Sequence, residues 1–107
     1  MQAGYKLKDR FWLIPDASIE HSNQVRGRYL EGSPAIAIEI ISPSHAAEYT
    51  HQKLKTFLNN GALEVWVVYP KTRSVMVHRP GIAPEFTATL ESELLPGWSL
   101  DLTKLFA

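Results

Sequence analysis

Residues 35–41 form a short apolar run, rich in β-branched residues, in which Glu39 is the one polar position and turn-forming segments lie on both sides. This pattern predicts a buried strand. Because side chains alternate across a strand, Ile36, Ile38 and Ile40 share one face, and Glu39 lies on the other. A carboxylate among apolar groups costs roughly several kcal/mol unless something pairs with it. Glu39 is therefore predicted either to be held structurally by a lysine or backbone amide, or to bind a metal ion.

A helical pattern follows this strand. Ser42 is a favourable N-terminal cap, and Pro43 suits the first helical position. The helix is predicted to run to about residue 60, where Gly61 fits a C-terminal cap. Small and apolar side chains recur at helical spacing and form the face predicted to be buried, namely Ala47, Thr50, Leu54, Phe57 and Leu58.

Lys53 lies at the flank of this buried face, because successive residues are rotated by about 100° around a helix. Its aliphatic stem can be buried while its ammonium extends along the sheet surface. Lys55 points further toward solvent on the other flank. The spacing alone leaves open whether Lys53 reaches Glu39.

Further strands are predicted after the helix. Residues 63–69 form a second apolar run, and the order strand, helix, strand predicts a crossover between two parallel central strands. Residues 75–78 are predicted to return as a hairpin partner, and residues 86–90 to form another short strand. Asp101 can cap a last helical turn. The predicted fold is α/β (α+β), a mixed sheet with one main crossover helix.

Residues 11–20 are predicted to form one strand that precedes these elements. Pro15 cannot donate to a strand ladder, so this strand lies at a sheet edge or is bulged there. Asp16 would share a face with Trp12 and Ile14. From this segment alone, a turn-forming Asp at a strand end is the simpler interpretation.

Composition narrows the class of protein. The 107 residues correspond to one domain with a modest core. The absence of Cys excludes disulfides and thiolate chemistry. Eleven basic and eleven acidic residues give no net charge, which argues modestly against tight DNA binding by an isolated monomer. No run approaches the ~18 apolar residues of a membrane span, and the start has no signal-peptide core, so a cytoplasmic location is expected.

Motifs of several other enzyme classes are absent from the sequence. The four His residues lack metal-ligand spacing, no Gly-rich phosphate loop is present, and no serine has a nucleophile-elbow context.

Taken together, Pro15-Asp16, Glu39-Ile40-Ile41 and Lys53 resemble the PD-(D/E)xK nuclease superfamily. More closely, the chain is similar to a family of small bacterial proteins within it that are described as restriction endonucleases. The order and spacing of the pieces carry this resemblance, which continues through residues 35–44, 61–68 and 95–98. It implies a restriction-endonuclease-like core domain over residues 1–107.

The resemblance also implies a site and a reaction. Asp16 and Glu39 would bind Mg²⁺, with Mn²⁺ as an alternative ion, and the backbone carbonyl of Ile40 would be a third ligand. Lys53 would orient the attacking water or stabilise the phosphate. The implied function is Mg²⁺-dependent hydrolysis of phosphodiester bonds in DNA.

The chain departs from the family pattern at several positions. Ile41 stands where the superfamily usually has Lys, and relatives similarly use a Lys from the following helix, at the position of Lys53. Tyr49 and Tyr69 stand near positions where Asp is common. Relatives are usually longer at the N-terminus, so this chain is expected to lack that part of the family. The alternative function is a catalytically degenerate remnant that acts as an oligomerisation or interaction module.

A homodimer is the expected assembly. One long helix covers only one face of the predicted sheet, and the residue 11–19 strand leaves an unpaired edge. Exposed edges and apolar patches favour association, most often as two-fold dimers. The interface is therefore predicted to include residues 11–19.

Overall fold

The computed structural model describes residues 5–6, 12–13, 15–21, 30–42 and 47–107. Its elements in chain order are β1 (Tyr5–Lys6), β2 (Trp12–Leu13), β3 (Ala17–Ile19), β4 (Leu30–Glu31), β5 (Ile36–Ile40), α1 (Ala47–Asn59), β6 (Glu64–Tyr69), β7 (Ser74–His78), β8 (Glu85–Phe86), β9 (Thr89–Glu91), β10 (Ser99–Asp101) and α2 (Leu102–Leu105). Within these ranges, neither helix has the length and apolar character needed to cross a membrane.

A mixed five-stranded sheet in the order β3-β5-β6-β7-β8 organises the described structure. β5 and β6 are parallel and joined through α1, whereas the other neighbouring strands are antiparallel. The predicted crossover and the predicted hairpin are therefore confirmed. Two smaller sheets, β2-β1-β4 and β10-β9, complete the strand pairing of the described residues.

The C-terminal end of α1 has the predicted glycine cap. Gly61 has a φ of 106°, in the region that favours glycine. The amide of Gly61 donates to the Leu58 carbonyl at 3.5 Å, and the amide of Ala62 donates to the Phe57 carbonyl at 3.0 Å. These two bonds form a Schellman motif, which satisfies carbonyls left open at the helix end. The predicted start at Pro43 lies outside the described residues.

The central sheet has a core on each face. On the α1 face, Leu54 and Phe57 of the helix form a core. Its other buried residues are Ala37, Ala62, Val65 and Val67. The opposite face is covered by the C-terminal segment, with buried members Ile36, Trp66, Val75, Val77, Leu90 and Leu102. Glu39 alternates with Ala37 and therefore belongs to the α1 face.

The C-terminal segment covers the second face of the sheet. Trp66 on this face is only 4% exposed, and its indole stacks on Trp98 with ring centroids 5.6 Å apart. α2 begins at the predicted cap, where the Asp101 carboxylate accepts the amide of Thr103 at 3.0 Å. The expectation that the face opposite α1 lacks a cover is therefore wrong, because the C-terminal segment packs on it.

Two predicted strands are interrupted in the structure. The 11–20 strand is divided, because β2 pairs with β1 in a small sheet while β3 pairs with β5 in the central sheet. The break includes Pro15, which has no amide to continue a ladder. The 86–90 strand is also divided: Phe86 pairs with Val75, whereas Leu90 pairs with Leu100. The chain leaves the sheet between them, which allows Leu90 to enter the core on the second face.

Candidate active site

Asp16 and Glu39 meet across the pairing of β3 with β5. Ala17 lies opposite Ile38 in this antiparallel register, so Asp16, one residue earlier, lies opposite Glu39. The Asp16 Oδ2 atom accepts the backbone amide of Ile40 at 2.8 Å. This bond replaces a ladder bond where the strand begins, and it fixes the Asp16 carboxylate beside the end of β5.

Lys53 reaches the same place from α1. Its Nζ atom lies 2.8 Å from Glu39 Oε1, with both side chains largely buried. α1 packs on the Glu39 face of the sheet through Leu54 and Phe57, and Lys53 precedes Leu54 on the flank of that contact. Lys55 is exposed, as the helical spacing predicted. The structure therefore brings Asp16, Glu39 and Lys53 together.

The pKa of Glu39 is raised from its ordinary value of 4.5, and burial is the largest cause. Lys53 acts in the opposite direction, through a hydrogen bond and its positive charge. The neighbouring Asp16 carboxylate raises the pKa further, through its charge and a contact between the two carboxyl groups. Two acidic groups so close together favour a bound cation, because a second positive charge would stabilise both ionised forms.

Glu39 Oε1 faces Lys53 at the centre of the cluster. Glu39 is only 5% exposed, and the Lys53 ammonium lies 2.8 Å from this oxygen. A carboxylate oxygen has two lone pairs, so Oε1 can take a further ligand besides Lys53.

A small cavity of about 30 Å³ lies at this position. Its lining includes the two carboxylates and Lys53, together with Ile41, Tyr49 and Thr50. This volume holds about one water or one small ion. Thr50 was not singled out by the sequence analysis as a site residue, although it lies three residues before Lys53 and therefore on the same side of α1.

The donor set fits a magnesium ion that keeps several waters. Mg²⁺ takes hard oxygen ligands and is commonly held by only one or two carboxylates. The Ile40 amide points toward β3. The Ile40 carbonyl points the same way, because the amide and carbonyl of one strand residue lie on the same edge of the strand. Continuing the register places Pro15 opposite Ile40, and Pro15 has no amide to occupy that carbonyl. In the part of the chain that the structure describes, no group of three or more acidic or imidazole side chains forms a preassembled metal cage.

A family model matches nearly the whole chain. Residues 2–103 match the model of the Uma2 family, which is described as "Putative restriction endonuclease". The match spans nearly the whole chain, and the protein therefore belongs to the Uma2 family. No curated protein matches the chain significantly.

A solved structure has a similar fold. It is described as a "putative nuclease belonging to DUF820" from Anabaena variabilis ATCC 29413. The TM-score is 0.77 at 20% sequence identity, and the alignment covers 98% of this chain but 64% of the other. The present chain thus spans less than two-thirds of that relative, and at this identity the likeness establishes the shared fold alone.

Proposed function

We propose that this protein is a metal-dependent endonuclease that hydrolyses phosphodiester bonds in DNA. The observation that supports it is the convergence of Asp16, Glu39 and Lys53, with Glu39 Oε1 buried beside a cavity the size of one ion. A structural ion pair would need only Glu39 and Lys53. The additional acid, which raises the pKa of Glu39, opposes stability unless the cluster has another use.

The carboxylates of Asp16 and Glu39 and the carbonyl of Ile40 would hold Mg²⁺, or Mn²⁺ in its place. When bound there, such an ion would neutralise charge on the phosphate and lower the pKa of a water molecule. The hydrogen bond from the Ile40 amide keeps Asp16 aimed into the site. Burial of Glu39 keeps its carboxylate in one orientation against β5.

Lys53 would act on the substrate side of the cluster. Its ion pair with Glu39 fixes the ammonium at the cavity. From there, an ammonium can donate a hydrogen bond to a phosphate oxygen and stabilise the charge that develops during hydrolysis. It can also orient the attacking water. Both roles require position rather than general basicity, which separates Lys53 from the exposed Lys55.

The test is nicking of supercoiled plasmid DNA by purified protein in Mg²⁺ or Mn²⁺. Wild type is expected to nick, and EDTA to stop it. Asp16→Asn, Glu39→Gln and Lys53→Ala should each lose nearly all activity, because groups that act as one unit are not additive. Lys55→Ala is the matched control and should remain active.

Metal binding provides a readout that does not depend on cleavage. Titration calorimetry should show one Mn²⁺ or Mg²⁺ site in wild type and none in Glu39→Gln. If wild type binds no metal and cuts no DNA, the non-catalytic interaction module replaces this proposal. Equal losses in Lys53→Ala and Lys55→Ala would show that general positive charge, rather than the site, had been measured.

We further propose that the protein acts as a homodimer, which would present two sites to the two strands of a duplex. β3 is an edge strand of the central sheet, and Ile40 and Leu105 are 47% and 52% exposed nearby on the second face. Unpaired edges beside apolar surface favour association. Residues 11 and 14 of the predicted interface lie outside the described residues. Size-exclusion chromatography with light scattering should give twice the monomer mass, and a stable monomer at micromolar concentration would exclude the dimer.

A further inference from the structure

A second cleft opens directly beside the candidate active site. It has a volume of about 240 Å³ and lies between α1 and the sheet. Ile41 and Thr50 line both this cleft and the small cavity of the acidic cluster. A molecule bound at the acidic cluster would therefore have this cleft as its immediate neighbour.

Two imidazoles from distant parts of the chain meet at this cleft. His51 comes from α1 and His78 from the end of β7. Both rings line the same cleft, and the pKa of His78 is lowered, first by burial and then by the charge of His51. His78 is therefore neutral at neutral pH and can both donate and accept a hydrogen bond.

The lining of the cleft combines apolar and polar groups. Ile41, Leu54 and Val67 form an apolar part, and the Tyr69 ring lies beside them. Among the described residues, no hydrogen bond or ion pair engages the two imidazoles or the Tyr69 hydroxyl. Polar groups placed around an apolar floor, here the half-buried Tyr69 and His78 with the exposed His51, are typical of a ligand site.

The described lining favours an anionic occupant. Among the described residues that line this cleft, none is acidic. Beyond Tyr69, a neighbouring cavity continues to Ser42, Lys71 and Thr72, and its described lining also has no carboxylate. A phosphate chain leaving the acidic cluster in this direction would thus move away from Asp16 and Glu39 and meet imidazoles and then an ammonium.

The size of the cleft limits the occupant to a single nucleotide. Its volume is below the ~300–1,000 Å³ of pockets for drug-sized ligands, so a base pair does not fit. A single unstacked base can lie against Tyr69, because aromatic side chains accept any base by stacking. The neighbouring phosphate would then lie within reach of His51 and His78.

We infer that this cleft binds one unpaired nucleotide next to the scissile phosphate, and that Tyr69, His51 and His78 position it. This inference rests on the proposed function and makes it more specific. The preferred substrate has an unpaired nucleotide beside the point of cleavage, as in a gapped, bulged or single-stranded DNA. A fully paired duplex would first have to extrude a nucleotide, which costs unpairing free energy.

The binding test uses the metal-free Glu39→Gln protein, so that no cleavage interferes. Ring signals of the histidines are followed by NMR during titration with single-stranded hexathymidylate, and separately with a blunt, fully paired DNA hairpin. Hexathymidylate should shift the signals of His51 and His78. His21 is the internal control, since its ring donates to the Gly61 carbonyl at 3.1 Å at the other end of α1. Unchanged His78 signals at saturation, or equal shifts with the paired hairpin, would overturn the inference.

Kinetics provide the second test, with a duplex that carries one unpaired nucleotide. Tyr69→Leu and His78→Gln should each raise KM about tenfold with little change in kcat, because loss of stacking or of a phosphate contact weakens binding. His21→Gln is the matched control and should leave KM unchanged. A loss confined to kcat would assign these residues another role and reject the subsite.

The two arms separate this inference from the proposed function. Binding of hexathymidylate at His78 without any cleavage by wild type would retain the cleft and reject the nuclease. Metal-dependent cleavage with no preference for unpaired DNA and no shift at His78 would retain the nuclease and reject the cleft.

Discussion

The central sheet carries two buried glutamates on adjacent strands, and their surroundings are opposite. Glu64 of β6 is 1% exposed, and both of its carboxylate oxygens accept hydrogen bonds. Glu39 of β5 is 5% exposed, with the Lys53 ammonium 2.8 Å from one oxygen and with Asp16 as a close acidic neighbour. The two glutamates also belong to opposite faces of the sheet.

The partners of Glu64 are those of a structural residue. Its Oε1 accepts the Trp66 indole at 2.8 Å and the Ser92 hydroxyl at 2.9 Å. Its Oε2 accepts Arg79, with Nε and a terminal nitrogen each at 2.9 Å. Such a fully satisfied network fixes β6, the end of the hairpin and the C-terminal cover relative to one another.

The difference shows where the fold retains an unfavourable arrangement of charge. Glu64 is matched by three hydrogen-bond donors, namely the Trp66 indole, the Ser92 hydroxyl and the Arg79 guanidinium. Glu39 instead faces one ammonium and another acid, an arrangement that lowers stability in the absence of a cation. Functional sites often contain residues that lower the stability of the fold. Here such a residue, Glu39, lies in the candidate active site.

The largest expected effect separates the two glutamates by stability. Glu64→Ala should lower the free energy of unfolding by about 3–5 kcal/mol, because it leaves the Arg79 guanidinium and two buried donors without an acceptor. Urea denaturation measures the change. Glu93→Ala is the control, because Glu93 is exposed and its ion pair with Arg79 is long, at 4.0 Å, so it contributes little to stability. Similar values for the two variants would show that the Glu64 network does not contribute as described.

The next effect is expected from metal addition. Mg²⁺ at about one hundred times its dissociation constant should stabilise wild type by about 2.7 kcal/mol, because the ion binds the folded state alone. Glu39→Gln should show no such gain, and Lys55→Ala should show all of it. Thermal unfolding with Mg²⁺ and with EDTA makes the comparison. An equal gain in Glu39→Gln would place the bound ion away from the acidic cluster.

The same contrast explains how much of the site could be predicted from sequence. The alternation in β5 placed Glu39 on the correct face, and helical spacing placed Lys53 on the correct flank, because both patterns are local. Asp16 looked like an ordinary turn residue, since its meaning depends on the register between β3 and β5. That register is a pairing between distant segments, and only the family resemblance linked Asp16 to Glu39.

Contacts between distant residues were beyond the sequence patterns altogether. Glu64 lay unnoticed in an apolar run because its donors Arg79 and Ser92 are 15 and 28 residues away. His51 and His78 have no ligand-like spacing, and the packing of α1 on the sheet brings them to one cleft. The folding of residues 86–90 into two strands likewise depended on a partner, β10, later in the chain.

The smallest expected effect is the pH dependence of Glu39 in EDTA. The pKa of Glu39 is raised in the folded state, so the folded protein holds this proton at pH values where the unfolded chain has lost it. Binding of this proton stabilises the folded protein fully at pH values below the ordinary pKa of 4.5, and this stabilisation is lost as pH rises through the folded-state pKa. Above that pKa, the ionised Glu39, buried and next to Asp16, lowers the stability of wild type.

Glu39→Gln removes this titration and nearly preserves shape. The free energy of unfolding of Glu39→Gln in EDTA, relative to that of wild type, should therefore increase as pH rises above about 4.5, the ordinary pKa of Glu. This difference should then level off at higher pH. Urea denaturation across pH 4 to 8 follows the difference, with Lys55→Ala as a variant whose difference from wild type should stay constant. If wild type instead gained on Glu39→Gln with rising pH, attraction by Lys53 would exceed the effects of burial and Asp16. Glu39 would then resemble Glu64, and the contrast between the two glutamates would fail.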